Sequence, residues 1–257
     1  MTMPQLDWDL EFLKNNPLLK SEDYGIPDQV KHIRYPVRLL RYWFMYHFLR
    51  EEAARKGPLD VCEIGVDVGQ MLGFMHAAAK HGGEAVPLAS WDAVDAFVRE
   101  ELLRSVGYNQ FYQVDLESPD FTLGEKQYDA MILLHVLEHL YQPEQVISRI
   151  VGNLKPGGML IGGFPSLPQG MLAKREAQLR ATRRKFAHVS VFSPERVRSM
   201  AEANGLEVEF LSGAFFMRKK GFALENRKGW MRFNLWFGAL FPSWPGETYW
   251  ILRKPAK

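Results

Sequence analysis

The chain has little cysteine, little net charge and no long hydrophobic run. Cys62 is its only cysteine in 257 residues, which excludes an internal disulfide and favours a reducing, cytoplasmic location. The formal net charge of +2 gives the molecule no strong overall field for nucleic acid. Residues 1–10 lack the basic and apolar segments of a secretory signal. The apolar stretch 39–49 is far shorter than the ~20 residues that span a bilayer.

The composition is that of a folded α/β protein. Apolar residues make up 47% of the chain, enough for a complete core, and the length fits one large domain with additions. The spacing of Leu40, Phe44 and Phe48 predicts an amphipathic N-terminal helix over about 28–55. We therefore expect an N-terminal helical cap over 1–57 and a main domain over 58–257.

The most informative pattern lies in residues 59–72. An apolar run, 61–64, contains Glu63 and ends at Gly65, and Gly69 precedes a helical pattern. This order predicts a strand, a tight glycine turn and a helix N-terminus, which together let backbone N–H groups approach a nucleotide-type ligand. Cys62 lies in the predicted strand and is expected to be a buried thiol rather than a nucleophile.

Strands and helices alternate after this turn. The pattern predicts helices over 71–81, 94–106 and 143–154, and strands over 85–89, 111–116, 128–134 and 159–164. The alternation favours a Rossmann-like, doubly wound, mostly parallel sheet. Ligands of such sheets bind at the carboxyl ends of the strands, so the residues expected at the site are 65–70, Asp92, Asp115, His135 and 164–166.

Five motifs in this order resemble one enzyme family. They are Glu-Ile-Gly-Val-Asp-Val-Gly at 63–69, Asp92, Asp115, Tyr-Asp at 128–129 with His-Val-Leu-Glu-His at 135–139, and Leu-Lys-Pro-Gly-Gly at 154–158. The set resembles class I S-adenosylmethionine-dependent methyltransferases, most nearly the branch that includes ubiquinone-type and sugar O-methyltransferases. Val-Phe-Ser-Pro at 191–194 and a closing strand at 249–254 are similar to the same branch.

The resemblance covers about 58–212 and the last strand. It implies a seven-stranded methyltransferase sheet with a lid over 167–190 and an insertion over 217–246. It also implies a site for S-adenosylmethionine, with S-adenosylhomocysteine as the product. The implied cofactor-binding residues are Glu63, Gly65, Asp67, Gly69 and Gln70 at the turn, Asp92 for the ribose hydroxyls, Asp115 and Leu116 at the adenine, and His135.

The assigned roles of two acids in this set, Asp92 and Asp67, have alternatives. Asp92 lies further from Glu63 than the usual ~20 residues, and Glu84 lies at a better distance but before the predicted strand. Asp67 stands where the family usually has a glycine. We expect Asp67 to cap the next helix in a capping box with Gln70, the alternative being contact with the cofactor ammonium.

The departure at Asp67 bears on the class of protein. It leaves open a protein of this fold that binds the cofactor without catalysis. The segment 65–70 also lacks the Gly-x-Gly-x-x-Gly fingerprint of nicotinamide dehydrogenases, which argues against an oxidoreductase.

Three histidines are candidates for a catalytic base. His135 follows the fourth strand directly, and His139 is predicted one helical turn further on the same face. His188 lies in the region that covers the substrate in this family. A packing role is the alternative for His139. Glu138 could orient a histidine or, as the resemblance permits, help bind a divalent ion, but no spacing matches a dedicated zinc site and we predict no metal.

Two basic segments bear on the acceptor. Residues 174–185 carry six basic residues and one acid, Glu176. In a lid this positive charge favours an anionic acceptor, such as a carboxylate or a phosphorylated sugar. The alternative is a solvated helix face. Residues 218–244 mix six basic with seven aromatic residues. They could pack as a hydrophobic cap, meet the inner face of a membrane or a lipid-linked acceptor, or, less in keeping with the small net charge, bind RNA.

The sequence thus predicts a methyltransferase that acts on a hydroxyl oxygen of a small-molecule or glycan acceptor. Methylation of nitrogen or carbon stays open, as does the oligomeric state.

Overall fold

A seven-stranded sheet forms the centre of the molecule. The computed structural model describes residues 39–80, 83–182, 187–217, 219 and 221–257, together with Leu10 and Tyr35. The strands are β1 Leu59–Ile64, β2 Leu88–Asp95, β3 Phe111–Gln113, β4 Tyr128–Leu134, β5 Leu154–Ser166, β6 Glu207–Gly213 and β7 Gly246–Arg253. Their spatial order is β3-β2-β1-β4-β5-β7-β6. The first five strands are parallel, and β7 runs antiparallel to both of its neighbours. The predicted methyltransferase-type sheet is confirmed.

Seven α-helices of the described residues flank this sheet. They are α1 Leu40–Lys56, α2 Gln70–Lys80, α3 Glu100–Val106, α4 Pro143–Ile150, α5 Leu172–Ala181, α6 Pro194–Ala203 and α7 Lys228–Leu240. None of these helices is long and apolar enough to cross a membrane. The start of α6 shows how local sequence sets a boundary: the Ser193 side chain accepts the Arg196 N–H, and Pro194 occupies the first turn.

The predicted boundaries of β2 and α3 are wrong. The prediction ended the second strand at 89, before the turn-like Ser90-Trp91-Asp92, and began a helix at 94. In the structure β2 continues to Asp95 and pairs Cys62 with Asp92 and Ile64 with Val94. Asp92 is tolerated inside the sheet because the Lys126 Nζ lies 2.5 Å from its Oδ2 and the Tyr128 hydroxyl donates to the same oxygen at 2.9 Å.

Other predicted boundaries differ less. The strand predicted over 128–134 coincides with β4, which is almost entirely buried. The strand predicted over 111–116 ends at Gln113. The predicted turn at 155–158 belongs to β5, which begins at Leu154, and the helix before it ends at Ile150.

The N-terminal helix α1 packs on the sheet in one continuous hydrophobic cluster. It begins at Leu40; positions 28–34 and 36–38 of the predicted helix lie outside the described residues. The Phe44 ring stacks on the Tyr249 ring of β7 with centroids 4.1 Å apart. Full burial of such a side chain stabilises the fold by about 1.5–3 kcal/mol. The division into a cap over 1–57 and a domain over 58–257 stays a prediction.

The insertion that contains α7 lies at the carboxyl edge of the parallel strands. β6 ends with Gly213 opposite Thr248, and β7 begins with Gly246 opposite Ser166, the last residue of β5. The chain between β6 and β7 therefore leaves and re-enters the sheet at the edge where the glycine turn and His135 lie.

Candidate active site

The turn after β1 requires glycine at two positions. Gly65 and Gly69 both have φ of +77°, in the left-handed region. A Cβ added to Gly65 would lie 2.4 Å from the Cγ2 of Val136, and one added to Gly69 would lie 3.0 Å from the Cε2 of Tyr108. The Gly65 N–H donates to the Val94 carbonyl at 2.7 Å. The two glycines therefore hold a tight turn at the carboxyl edge, as the sequence predicted.

Asp67 does not form the predicted capping box. Its φ is +48°, a conformation that aspartate adopts more readily than most residues. Its N–H donates to the Asp95 Oδ2 at 3.0 Å, and the Gln70 side-chain oxygen accepts a hydrogen bond from the Tyr42 hydroxyl of α1. Because Asp95 already takes the N–H that Gln70 was expected to bind, the capping-box prediction is wrong. Contact between the exposed Asp67 carboxylate and a cofactor ammonium stays a prediction.

Glu63 supports the turn from inside the protein. Its buried Oε2 accepts hydrogen bonds from the Trp91 Nε1 at 3.0 Å and from the Tyr108 hydroxyl at 2.6 Å. Burial raises the pKa of the Glu63 carboxyl to about 7, and these two hydrogen bonds offset only part of the rise. Glu63 thus ties β1 to β2 and to the segment after α3.

Asp95, rather than Asp92, lies at the carboxyl end of β2. Asp92 is fully buried within the strand, so the predicted position of Asp92 at the strand end is wrong. The Asp95 carboxylate accepts the N–H groups of Asp67 and Phe97, each at 3.0 Å, beside the glycine turn. Asp95 therefore occupies the place that the resemblance gives to the ribose-binding acid. The apolar pair that follows Asp92 was the signal that the strand continues.

Asp115 and Leu116 follow β3 at the same edge of the sheet. The exposed Asp115 closes a turn: its Oδ1 accepts the Glu117 N–H at 2.9 Å, and its carbonyl accepts the Ser118 N–H at 3.1 Å. Leu116 is buried. The place of both residues fits their expected contact with adenine, which stays a prediction.

His135 lies directly after β4 between two carboxylates. The backbone N–H of His135 donates to the Gly163 carbonyl at 2.8 Å, and the φ of +58° at His135 turns the chain out of the sheet. The Nδ1 lies 3.0 Å from the Glu138 Oε1, and the Nε2 lies 3.8 Å from the Glu247 Oε2. Burial lowers the pKa of His135, but the two carboxylates outweigh it and hold this pKa above its usual value.

Sequence reasoning missed the residues that pack beside the His135 ring, which come from α1 and β7. The Arg41 Nη2 of α1 lies 3.5 Å from the Glu247 Oε1 of β7. The Tyr249 hydroxyl donates to the other oxygen of Glu247. No local pattern joins these residues, because only the folded sheet brings α1 and β7 together.

Glu138 connects His135 with the other two candidate histidines. His139 does not share a helical face with His135, because His135 has left-handed φ and 137–139 form a single 3₁₀ turn; that prediction is wrong. The His139 ring instead lies 4.8 Å from the His188 ring. The Glu138 carbonyl accepts the N–H groups of Val189 and Ser190, at 2.8 and 3.1 Å, which fixes the chain next to His188.

Glu138, His139 and His188 together form a candidate metal site. Ligand atoms of Glu138, His139 and His188 all lie within 4.8 Å of one another. The Glu138 Oε2 is buried and forms no hydrogen bond with any described residue. Burial lowers the pKa of His188, the charge on Glu138 opposing this, so His188 is neutral and able to ligate or to accept a proton at neutral pH.

Part of the basic charge of the predicted lid is used within the protein. Arg180 of α5 pairs with Glu176 and donates to the Val189 carbonyl at 3.0 Å. Arg196 lies 3.0 Å from the same Glu176. Lys174 and Arg175 are exposed, and residues 183–185 lie outside the described part of the chain. Lys174 and Arg175 are thus exposed basic residues of the predicted lid.

Comparison with known proteins identifies the family. Residues 37–210, more than half of the chain, match a family model described as a methyltransferase domain. No curated protein matches the chain in sequence. The fold is similar to that of the N-methyltransferase NodS from Bradyrhizobium japonicum, solved with S-adenosyl-L-homocysteine: TM-score 0.52, 15% identity, 95% of this chain and 98% of that one.

Two further solved structures share the fold. An S-adenosylmethionine-dependent methyltransferase from Mesorhizobium loti matches with TM-score 0.52 and 13% identity over 82% of this chain and 97% of that one. An O-methyltransferase family protein from Burkholderia thailandensis matches with TM-score 0.52 and 14% identity over 83% of this chain, which spans 56% of that longer one. At these identities the likeness concerns the fold, and the family match adds the class of enzyme. The chain therefore belongs to the methyltransferase domain family, in its class I, S-adenosylmethionine-dependent form.

Proposed function

We propose that this enzyme methylates a hydroxyl oxygen of a small-molecule or glycan acceptor, with His135 as the base. The observation that carries the proposal is the place of His135: it lies at the same sheet edge as the glycine turn, between the carboxylates of Glu138 and Glu247. Methyl transfer needs little from the protein beyond placement of the two reactants, and an alcohol also needs a group that takes its proton.

The residues around the turn suit the cofactor. Gly65 and Gly69 keep the tight turn at the carboxyl edge of the sheet, because only glycine avoids a collision with Val136 or Tyr108 there, and such a turn lets backbone N–H groups approach a ligand. We assign Asp95 to the ribose hydroxyls in place of Asp92, and we keep Asp115 and Leu116 at the adenine. When bound, S-adenosylmethionine supplies an electrophilic methyl group on a sulfonium sulfur.

His135 can accept the acceptor proton at Nε2. We assign its Nδ1–H as the donor to Glu138, which leaves the Nε2 of the neutral ring without a proton. The Nε2 is buried and forms no hydrogen bond with a described residue, and a reacting hydroxyl would supply that partner. Nε2 would take the proton of the acceptor hydroxyl, and Glu247 would stabilise the charged imidazole.

The acceptor is proposed to carry negative charge. Lys174 and Arg175 are exposed on α5, in the segment predicted to cover the acceptor. Charge-assisted hydrogen bonds from such groups favour a carboxylate or a phosphate. A cytoplasmic location stays a prediction from the single cysteine.

Variants at the two histidines test the base. We expect His135→Ala to lower turnover at least ~100-fold, the usual contribution of a general base, while its affinity for S-adenosylmethionine stays within about twofold. The exposed His76 of α2 provides the matched control, since His76→Ala removes a histidine that has no part in the proposed reaction. If His135→Ala keeps near-full turnover and His188→Ala loses it, the base is His188; if both keep it, neither is the base.

A further inference from the structure

The surface formed by α7 and its flanks is apolar and has no role in the proposed reaction. We call it the aromatic face, and it consists of Phe216, Phe233, Trp236, Phe237, Phe241 and Trp244. Neighbouring ring centroids in it lie 4.8–6.1 Å apart, so the six rings form one continuous layer. The Trp244 Nε1 donates to the Phe216 carbonyl at 2.9 Å, which closes the layer at its end.

The rings of this layer are turned to solvent. Trp236, Phe241 and Trp244 are 47%, 52% and 45% exposed. The core uses a different side of α7, where Met231 and Leu235 are buried. A contiguous exposed aromatic surface is uncommon on a soluble monomer and usually marks a contact with a partner or a membrane.

The segment that carries the aromatic face is rich in basic residues. Residues 214–245 hold six basic residues and one acid, whereas the other 225 residues hold 26 basic and 29 acidic ones. Arg227 and Arg232 are exposed, and neither forms an ion pair with a residue that the structure describes. The single acid, Glu225, accepts the Gly221 N–H at 3.0 Å. The positive excess of the whole chain thus falls within the segment of the sequence that carries these rings.

This combination fits an anionic lipid surface. Tryptophan and phenylalanine bind at the boundary between headgroups and acyl chains, and basic residues beside them are attracted to anionic lipids. A second copy of the chain would bring the same positive charge to the contact, which disfavours self-association through this face.

The aromatic face also adjoins the active-site edge. Glu247 follows Trp244 by three residues and lies 3.8 Å from the His135 Nε2. A bilayer bound to the aromatic face would therefore lie beside the edge of the sheet that carries the candidate base.

We propose that the aromatic face docks on an anionic lipid bilayer. The rings enter the boundary region, and Arg227 and Arg232 contact the lipid phosphates. Docking of this kind favours an acceptor that resides in or on the membrane. The docking itself does not depend on methyl transfer.

Vesicle flotation of the full-length chain, without cofactor, tests the proposal. We expect the protein to float with vesicles of equal parts phosphatidylcholine and phosphatidylglycerol, to float much less with pure phosphatidylcholine, and to be released by high salt. The double variants Trp236→Ser with Phe241→Ser, and Arg227→Glu with Arg232→Glu, should each weaken partitioning at least about tenfold.

Matched controls replace exposed residues outside the face. Tyr141→Ser and Arg198→Glu should float as the parent chain does, and circular dichroism verifies that all variants are folded. Absence of flotation with anionic vesicles, or equal flotation of parent and double variants, overturns the proposal. So does a dimer, measured by light scattering, that the aromatic double variant dissociates while the parent chain does not float. A chain that floats but binds no S-adenosylmethionine would refute the proposed function and leave the docking intact.

Discussion

Two aspartates in β2 show how environment decides the role of a residue. Asp92 and Asp95 are three positions apart, and the family resemblance assigned the ribose contact to Asp92. Asp92 is buried against Lys126 and Tyr128, where its charge is compensated. Asp95 reaches the edge and binds the backbone of the glycine turn. The compensating Lys126 comes from a distant loop, so the sequence could not show why a charged Asp92 is tolerated inside the strand.

Substitution of Asp95 should affect cofactor binding, and substitution of Asp92 should affect stability. We expect Asp95→Asn to weaken binding of S-adenosylmethionine at least about tenfold, because a ribose loses a charge-assisted acceptor, with little change in stability. Asp92→Asn should lower the free energy of unfolding by roughly 1–3 kcal/mol, since the buried partners lose a charged acceptor. Calorimetric titration and urea unfolding measure the two quantities; selective loss of binding in Asp92→Asn would reverse the assignment.

The raised pKa of His135 predicts a pH dependence. A base acts only when neutral, so activity should rise with pH through the pKa of His135, which lies above the usual value because of Glu138 and Glu247. In Glu138→Gln that carboxylate is gone and the pKa falls. The acid limb of kcat/KM should therefore move to lower pH.

A comparison of kcat/KM profiles for the parent and Glu138→Gln checks this shift. Glu144→Gln removes a carboxylate in the next helix and should leave the profile in place. A limb that does not move in Glu138→Gln would show that His135 is not the titrating group.

At the scale of elements, the unit of β1, turn and α2 was the most predictable part of the fold. Its two glycines adopt a positive φ that glycine favours over other residues, and the apolar run before them forms the strand that the sequence predicted. β4 was predicted for a similar reason, since nearly all of its side chains are apolar and buried. β2 was not, because Ser90-Trp91-Asp92 inside it has the composition of a turn.

The turn should not tolerate a side chain at Gly65. In Gly65→Ala the left-handed conformation costs about 1–3 kcal/mol, and the new Cβ would lie 2.4 Å from the Cγ2 of Val136. We expect lower stability in urea and loss of cofactor affinity. Gly152→Ala is the control, because a Cβ there meets no atom within 4 Å; equal stability of the two variants would contradict the strained turn.

At the scale of the whole molecule, α1 and β7 are joined at both edges of the sheet, and one of these contacts borders the candidate active site. Arg41 of α1 approaches Glu247 of β7, and the Arg253 Nη1 lies 2.8 Å from the Glu52 Oε1. The sequence predicted a helical cap and a closing strand but could not show that they meet beside His135. Such contacts join residues that are distant in sequence, and no periodicity or spacing encodes them.

The mostly parallel sheet and the edge that carries the site were nevertheless predictable. The alternation of strands and helices, and the glycine turn after the first strand, sufficed to place 65–70, Asp115 and His135 at one edge. The contacts of Asp95 and Arg41 required the fold, whereas the sequence already indicated Glu138 as a residue that orients a histidine.

The most direct test of this account is calorimetric titration of the full-length chain with S-adenosylmethionine, and in parallel with NAD. The account predicts one S-adenosylmethionine bound per chain, displaced by S-adenosylhomocysteine and weakened in Asp95→Asn, with no heat from NAD. No binding of S-adenosylmethionine, or binding of NAD in its place, would contradict it.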